Sequence, residues 1–295
     1  MASKTETRNF IKGIGFISPW IIGFLLFTLM PVILSLYFSF CDYPLLQSPV
    51  FRGLENYQKL LENPDFPKSA LNTGYFALLL LPASMIVALA CALLLNTNIR
   101  GQAVYRTIIF LPSLVPLVAS SVLWMWLYNT RYGLINTILG GLGKHEPIGW
   151  LADPQWAMPA LALMSLWGVG NTVIIYLAGL QDVPKDLYEA AELDGAGPIG
   201  KLLHVTLPCI SPVIFFNLVM GIIGTLQVFV PALVMTLGGP AHATYFYTYF
   251  LYDNAFSYFK MGQASAMAWI QLLIILALTG LAFWSSKKWV HYQGK

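Results

Sequence analysis

Six long intervals of the chain carry no Asp, Glu, Lys or Arg: Gly13 to Cys41, Ser69 to Ile99, Thr107 to Thr130, Pro154 to Gln181, Leu202 to Tyr252 and Met261 to Ser286. Each exceeds the roughly 20 residues an α-helix needs to cross the hydrocarbon of a bilayer. A charged side chain at the bilayer centre costs roughly 2.5 to 3.5 kcal/mol on insertion scales, so uncharged length is the informative pattern. The fifth interval is the longest and is broken by Gly238, Gly239 and Pro240, which predicts a helix to about Leu237 and then an extracytoplasmic loop. The pattern therefore predicts an all-α polytopic membrane protein of about six transmembrane helices, near residues 14–40, 71–95, 106–128, 156–180, 209–237 and 263–285. The first stretch is too long for a signal-peptide core and lacks a small-residue cleavage site, so it counts as a span.

Composition agrees with the pattern. Of the 295 residues, 57% are hydrophobic and 10% charged, and the mean hydropathy is +0.67. A soluble domain carries about 25% charged residues, so most of this surface must face something other than water, which is membrane lipid. The net charge of +3 has no basic stripe or tail, which excludes a nucleic-acid partner. Lys4, Arg8, Lys12, Arg100, Arg106, Lys185, Lys201, Lys287, Lys288 and Lys295 fall on one side of the expected spans. Arg52, Lys59, Lys68, Arg131, Lys144 and Lys260 fall on the other. The positive-inside rule then predicts both termini to be cytoplasmic.

The search for chemistry is mostly negative. Gly195, Gly197 and Gly200 spell G-x-G-x-x-G, but no strand precedes them and Pro198 interrupts them, so they read as a turn rather than a dinucleotide site. His145-Glu146 does not continue as H-E-x-x-H, and no nucleophile-elbow or Walker loop occurs. Cys41, Cys91 and Cys209 lack the spacing of a metal or redox site and read as apolar filler. No catalytic residue and no metal site is expected. An ion-coupled carrier commonly places an ionisable group inside the membrane; every expected span lacks one, which directs the search for an energy source elsewhere.

The segment from about 182 to 208 is unusual. Asp182 reads as an N-cap with Pro184 in the first turn, Gly195 is placed to end that helix, and Pro198 starts a second short helix running to Pro208. Leu187, Ala190, Ala191 and Asp194 share one face by their spacing, and the two alanines allow another backbone to approach closely. By composition alone, a helix packed only on its own protein accounts for the segment as well as a docking helix does.

Glu189-Ala190-Ala191, then Gly195, then Val205-x-Leu207-Pro208 resembles the EAA signature of permease subunits of ATP-binding-cassette importers, with Val in place of Ile. Arg106 to Pro112, Ala178 to Pro184, Leu237 to Pro240 and Met261 to Ala266 extend the resemblance in the right order, and it narrows to the carbohydrate-uptake group of maltose and glycerol-phosphate type. The resemblance implies the importer permease fold, as a single transmembrane permease domain over 1–295, in the plasma membrane of a bacterium or archaeon. It implies that Glu189, Ala190, Ala191, Asp194, Gly195, Leu207 and Pro208 form the segment coupled to a cytoplasmic ATPase dimer. It further implies a second permease, usually a different chain, and an extracytoplasmic sugar-binding protein. This chain would then bind no cofactor of its own, with ATP and Mg held by the partner ATPase. Related machines carrying a non-sugar solute share the signature, and an ion-coupled secondary carrier is the alternative from another class.

Sugars need hydrogen-bonding groups and aromatic faces near mid-membrane. Trp167, Gly168 and Asn171 in the fourth span and Gly221, Gly224, Thr225 and Val228 in the fifth are the candidates for the substrate path, in regions that line the sugar site in relatives. Gly and Val here replace the hydroxyl or amide groups of a maltose-type subunit. Close helix packing is the competing role for the glycines. The aromatic run from Tyr245 to Phe259 reads as an interfacial belt, with a lid against the binding protein as the alternative.

The charge pattern makes a topological prediction. In a cysteine-free background, Lys4→Cys, Arg100→Cys, Lys201→Cys and Lys295→Cys should resist a membrane-impermeant thiol reagent in intact cells, while Lys59→Cys, Lys144→Cys and Lys260→Cys should react. Labelling of Lys201→Cys from outside would overturn the six-span arrangement.

Overall fold

The computed structural model describes residues 4–97, 100–143 and 146–291. Lys144, His145 and Lys295, used above, lie outside the described residues, as does Ile99 at the end of the second interval. The helices in chain order are α1 (Lys4–Phe24), α2 (Met30–Ser39), α3 (Glu55–Glu62), α4 (Asp65–Leu95), α5 (Gln102–Phe110), α6 (Leu117–Leu127), α7 (Leu134–Gly141) and α8 (Pro154–Trp167). They continue as α9 (Gly170–Gln181), α10 (Lys185–Leu193), α11 (Pro198–Lys201), α12 (Leu207–Cys209), α13 (Ser211–Leu226), α14 (Tyr247–Tyr252) and α15 (Met261–Ser286). β1 (Cys41–Asp42) and β2 (Val50–Phe51) pair antiparallel, Cys41 opposite Phe51.

Among the described residues three helices are long and apolar enough to cross a membrane alone: Lys12–Ser39, α4 and α15. Three bent pairs, Gln102–Leu114 with Leu117–Leu127, Pro154–Trp167 with Gly170–Gln181, and Pro198–Cys209 with Ser211–Leu226, bring the number to six when each counts as one span. The expected third span is therefore not one straight helix over 106–128, because it turns by 98° at Val115–Pro116. Proline pushes the residue before it out of the helical region, and Val115 is extended, with ψ 128°. The fourth span bends by 51° at Gly168 and Val169. The fifth departs most from expectation: the pair is bent by 67° around Ile210, and the helix ends at Leu226 rather than Leu237. Pro231 has no N–H to offer the Gln227 carbonyl four residues earlier, and Gln227 to Phe229 leave the helix before a π-helical turn at Ala232–Thr236.

Within the stretch expected as one domain, the chain packs as two compact units, Met1–Asn63 with Leu251–Leu272, and Pro64–Phe250 with Leu273–Lys295. In the smaller unit, Asn56 is buried and its amide donates to the carbonyls of Ser39 (2.9 Å) and Cys41 (2.8 Å), closing the end of α2. The Gly262 N–H donates to the Tyr43 carbonyl (3.3 Å), and Trp269 Nε1 donates to Ser35 Oγ (3.2 Å).

In the larger unit α4 is central and packs against α8, α9 and α13. Ala88 and Ala92, both fully buried, let α9 approach closely, and Val173, Tyr176, Leu177 and Leu180 fill that contact together with Val183 and Ile210. The aromatic run is not a belt at its start, because Tyr245, Phe246, Tyr247, Tyr249 and Phe250 are all buried, while Phe256, Tyr258 and Phe259 are exposed. Asn72 explains part of this: its amide donates to the carbonyls of His242 (2.7 Å) and Tyr245 (3.2 Å), drawing the run onto α4. Large apolar side chains such as Leu71 and Ile86 of α4 are exposed, as expected of a helix whose surroundings are apolar. The cysteines form no disulfide among the described residues: Cys41 is buried, and Cys91 and Cys209 pack against the α4–α9 core.

Gly262 provides a packing test. A Cβ at that position would collide with the backbone carbonyl of Cys41, whereas one at Gly224 would meet nothing within 4 Å. Gly262→Ala should therefore lower the thermal unfolding midpoint in detergent, with overpacking costing about 1–3 kcal/mol. Gly224→Ala should leave the midpoint unchanged or raise it; equal midpoints for the two variants would refute the contact.

Candidate functional site

The segment 182–208 is a helix, a turn and a second helix. Asp182 is not the N-cap expected for α10: it caps the C-terminal end of α9, its N–H donating to the Ala178 carbonyl (3.2 Å). The N-cap is Pro184, extended at φ −59° and ψ 133°, because the ring holds the turn open while α10 starts at Lys185. Gly195 ends α10 as its place in the sequence predicts. It sits at φ +77°, its N–H donates to Glu192 O (2.9 Å), and the Ala196 N–H donates to Ala191 O (2.9 Å). These two bonds are the 5→2 and 6→1 pair of a Schellman cap, which needs a left-handed residue at this point. Gly197 is then extended ahead of Pro198, so the glycine triplet serves a helix–turn–helix.

This geometry separates the candidates. Glu189, Ala190 and Asp194 are exposed and Ala191 is partly so, with Leu187 and Leu193 exposed on the same helix. Ile199 and Leu203 are exposed on the second helix, at 73% and 52%. Large apolar side chains beside an exposed carboxylate in a polar helix make a surface suited to burial against another protein. Leu207 lies on the inner side, packed against the α4–α9 core, and Pro208 is half-buried, its carbonyl accepting from Ser211 Oγ (2.7 Å).

Five further residues hold the segment in place, none of them marked for that role by the sequence. Val183 is buried in the α4–α9 core and fixes the start of α10. The Tyr188 ring packs on the same core and its hydroxyl lies 3.0 Å from Thr206 Oγ1. Glu192 pairs with Lys201 across the turn. A valine before the proline and a tyrosine on an otherwise polar helix are the only signals that could have marked the inward side.

The substrate-path candidates do not form one face. Trp167 is partly exposed and meets Trp124 edge-on at 6.2 Å, and Gly168 and Asn171 flank the bend between α8 and α9, with Asn171 exposed. Gly221 packs against Leu81 of α4. Thr225 is buried and donates to its own helix at Gly221 O (2.7 Å), beside a mainly apolar cavity of about 340 Å³ lined with Leu81, Pro82, Ile222 and Leu278. Gly224 stands open, and Val228 lies beyond the end of the helix. Gly221 thus packs on α4 and Thr225 lines the cavity beside it, while Trp167 and Asn171 present an aromatic and a polar surface at the α8–α9 bend.

A polytopic helical protein whose central spans are broken, and which holds a short exposed helix between two of them, has the build of an importer permease. Residues 81–291 match the family described as binding-protein-dependent transport system inner membrane component. The chain is 38% identical to the Probable ABC transporter permease protein YesP of Bacillus subtilis, over 99% of this chain and 96% of that protein. It is 33% identical to the trehalose/maltose transport system permease protein MalF of Thermococcus litoralis, over 95% of each. In fold it matches a chain of the bacterial ABC transporter involved in the import of the acidic polysaccharide alginate, with a TM-score of 0.84, 23% identity and coverage of 97% of this chain and 98% of that one. The chain belongs to the binding-protein-dependent transport system inner membrane component family, and is a multi-pass ABC transporter permease.

The Schellman cap gives a local prediction. Gly195→Val forces a β-branched residue into the left-handed region at a cost of about 1–2 kcal/mol. In hydrogen exchange, the Gly195-position and Ala196 amides should lose about ten-fold protection or more while those of α9 are unchanged. Unaltered protection at both would show that the turn does not depend on glycine.

Proposed function

We propose that this chain is one pore half of an ATP-driven carbohydrate importer, taking a sugar from an external binding protein and releasing it on the cytoplasmic side. The observation that carries the reading is α10, a short helix seated on the core by Val183 and Tyr188 while Leu187, Glu189, Ala190 and Leu193 remain exposed. In this reading the exposed side docks on a cytoplasmic ATPase dimer. ATP and Mg belong to that dimer, and the permease contributes no group to hydrolysis. Docking performs work only if the helix binds the open and closed ATPase states with different free energies. Glu189 supplies a charge-assisted contact that can differ between them. The sugar assignment is supported by the trehalose/maltose permease among the relatives.

The remaining architecture in this reading is a second, different permease chain, an extracytoplasmic sugar-binding protein, and a plasma membrane of a bacterium or archaeon with both termini cytoplasmic. Trp167 and Asn171, at the bend, offer the sugar an aromatic face and an amide. Broken helices at membrane depth are tolerated where they are buried in protein or line a cavity, which makes the bend the natural place for a ligand.

The test is reconstitution of the complete complex in proteoliposomes with its binding protein and a panel of sugars, polyol phosphates and oligopeptides. A sugar should be transported and should stimulate ATP hydrolysis. Glu189→Lys should reduce both by about ten-fold or more, the range of coupling free energies of 1–3 kcal/mol, with the permease still inserted. Transport driven by an ion gradient without ATP would sink the importer reading, and stimulation by a non-sugar solute alone would sink the sugar.

A further inference from the structure

We propose that the hydroxyl pair Tyr188–Thr206 is the contact that carries movement of α10 into α13, making Tyr188 a positioning residue for coupling that does not itself touch the ATPase. The proposal rests on the reading of α10 as the docking helix.

The covalent route out of α10 runs through Gly195-Ala196-Gly197. Gly195 is left-handed and Gly197 extended, with nothing within 4 Å of a Cβ at either. Beyond the Schellman bonds, neither glycine offers a side chain that could tie the turn to its neighbours. Non-covalent ties must therefore carry the displacement. Among the described residues two of them bridge the helices on either side of the turn. The Glu192–Lys201 pair is one, but the Glu192 side chain is 64% exposed, so water and salt weaken it. The other is Tyr188 with Thr206, and it is sheltered: Thr206 is 5% exposed, and the Tyr188 ring rests on the core formed by α4 and α9.

The direction of this bond follows from its partners. Thr206 Oγ1 directs its own proton to the Lys201 carbonyl (3.3 Å), which leaves the oxygen to accept from the Tyr188 hydroxyl at 3.0 Å. Thr206 closes the π-helical segment Leu202–Thr206 and is followed by α12, the buried Ile210 and α13. A push on α10 thus enters the chain ahead of the Ile210 bend, at one buried atom. Loss of the donor would leave that oxygen short of a partner while the phenyl ring keeps its packing.

Tyr188→Phe, Thr206→Val, Thr206→Ser and the Tyr188→Phe/Thr206→Val pair are measured in the complete complex in proteoliposomes, as sugar transported per ATP hydrolysed. Tyr188→Phe and Thr206→Val should each lower this ratio roughly three- to ten-fold, the range expected for one hydrogen bond. The double variant should be no worse than either single variant. Thr206→Ser, which keeps the hydroxyl, should restore the ratio. An unchanged ratio for Tyr188→Phe, or single effects that multiply in the double variant, would overturn the proposal. Glu189→Lys measured alongside separates the two ideas. If it uncouples while Tyr188→Phe is normal, the hydroxyl pair alone is wrong; if both are normal, the docking-helix reading falls with it.

Discussion

The close approach of α4 and α9 is the contact on which the larger unit depends. Lipid tails are as apolar as leucine, so helices in a bilayer gain little from burying more apolar surface against one another and associate through tight packing instead. Ala88 and Ala92 are the small residues that permit it, and Val173, Tyr176 and Leu177 fill the space they leave. The same cluster takes in Val183 and Ile210, one just before α10 and one just before α13. The core that holds the spans together is thus also the seat of the exposed helix.

Breaks in the helices are the second organising feature. A backbone group left unpaired at membrane depth is costly, so each interruption needs its own local solution. At the end of α5, Ser113 Oγ donates to the Phe110 carbonyl (2.7 Å) in the 3₁₀ turn ahead of the extended Val115. At the α8–α9 bend, Gly168 and Val169 take up the turn with bonds to Ser165 O (3.2 Å) and Leu166 O (3.4 Å). Near Ile210 the buried Ser211 hydroxyl donates to Pro208 O and accepts the His291 N–H (2.8 Å), tying the stretch after α15 to the start of α13. Hydroxyls and glycines at these points let a span change direction, and a change of direction is what a ligand path between spans requires.

The sides of α10 divide its work. The inward side is tied by Val183 and Tyr188, while the outward side exposes Leu187, Glu189, Ala190 and Leu193. A helix of nine residues would be marginal by itself. Its Schellman cap and the Tyr188 anchor give it a fixed direction on the core.

The sequence by itself determined the membrane class, the uncharged stretches that hold the candidate spans, the motif that marks the permease family and the glycine that ends α10. Each of these depends on local chemistry: uncharged length, a motif with fixed spacing, or a residue tolerant of positive φ. Only the tertiary structure decided that the third, fourth and fifth spans are bent, that Leu207 faces inward, and that Gly221 belongs to the α4 contact. It also decided that the aromatic run after the fifth span is buried at its start. Those outcomes depend on which helix lies opposite, and an apolar stretch in a membrane protein carries almost no periodic signal of its neighbour, because lipid and protein present nearly the same apolar surface.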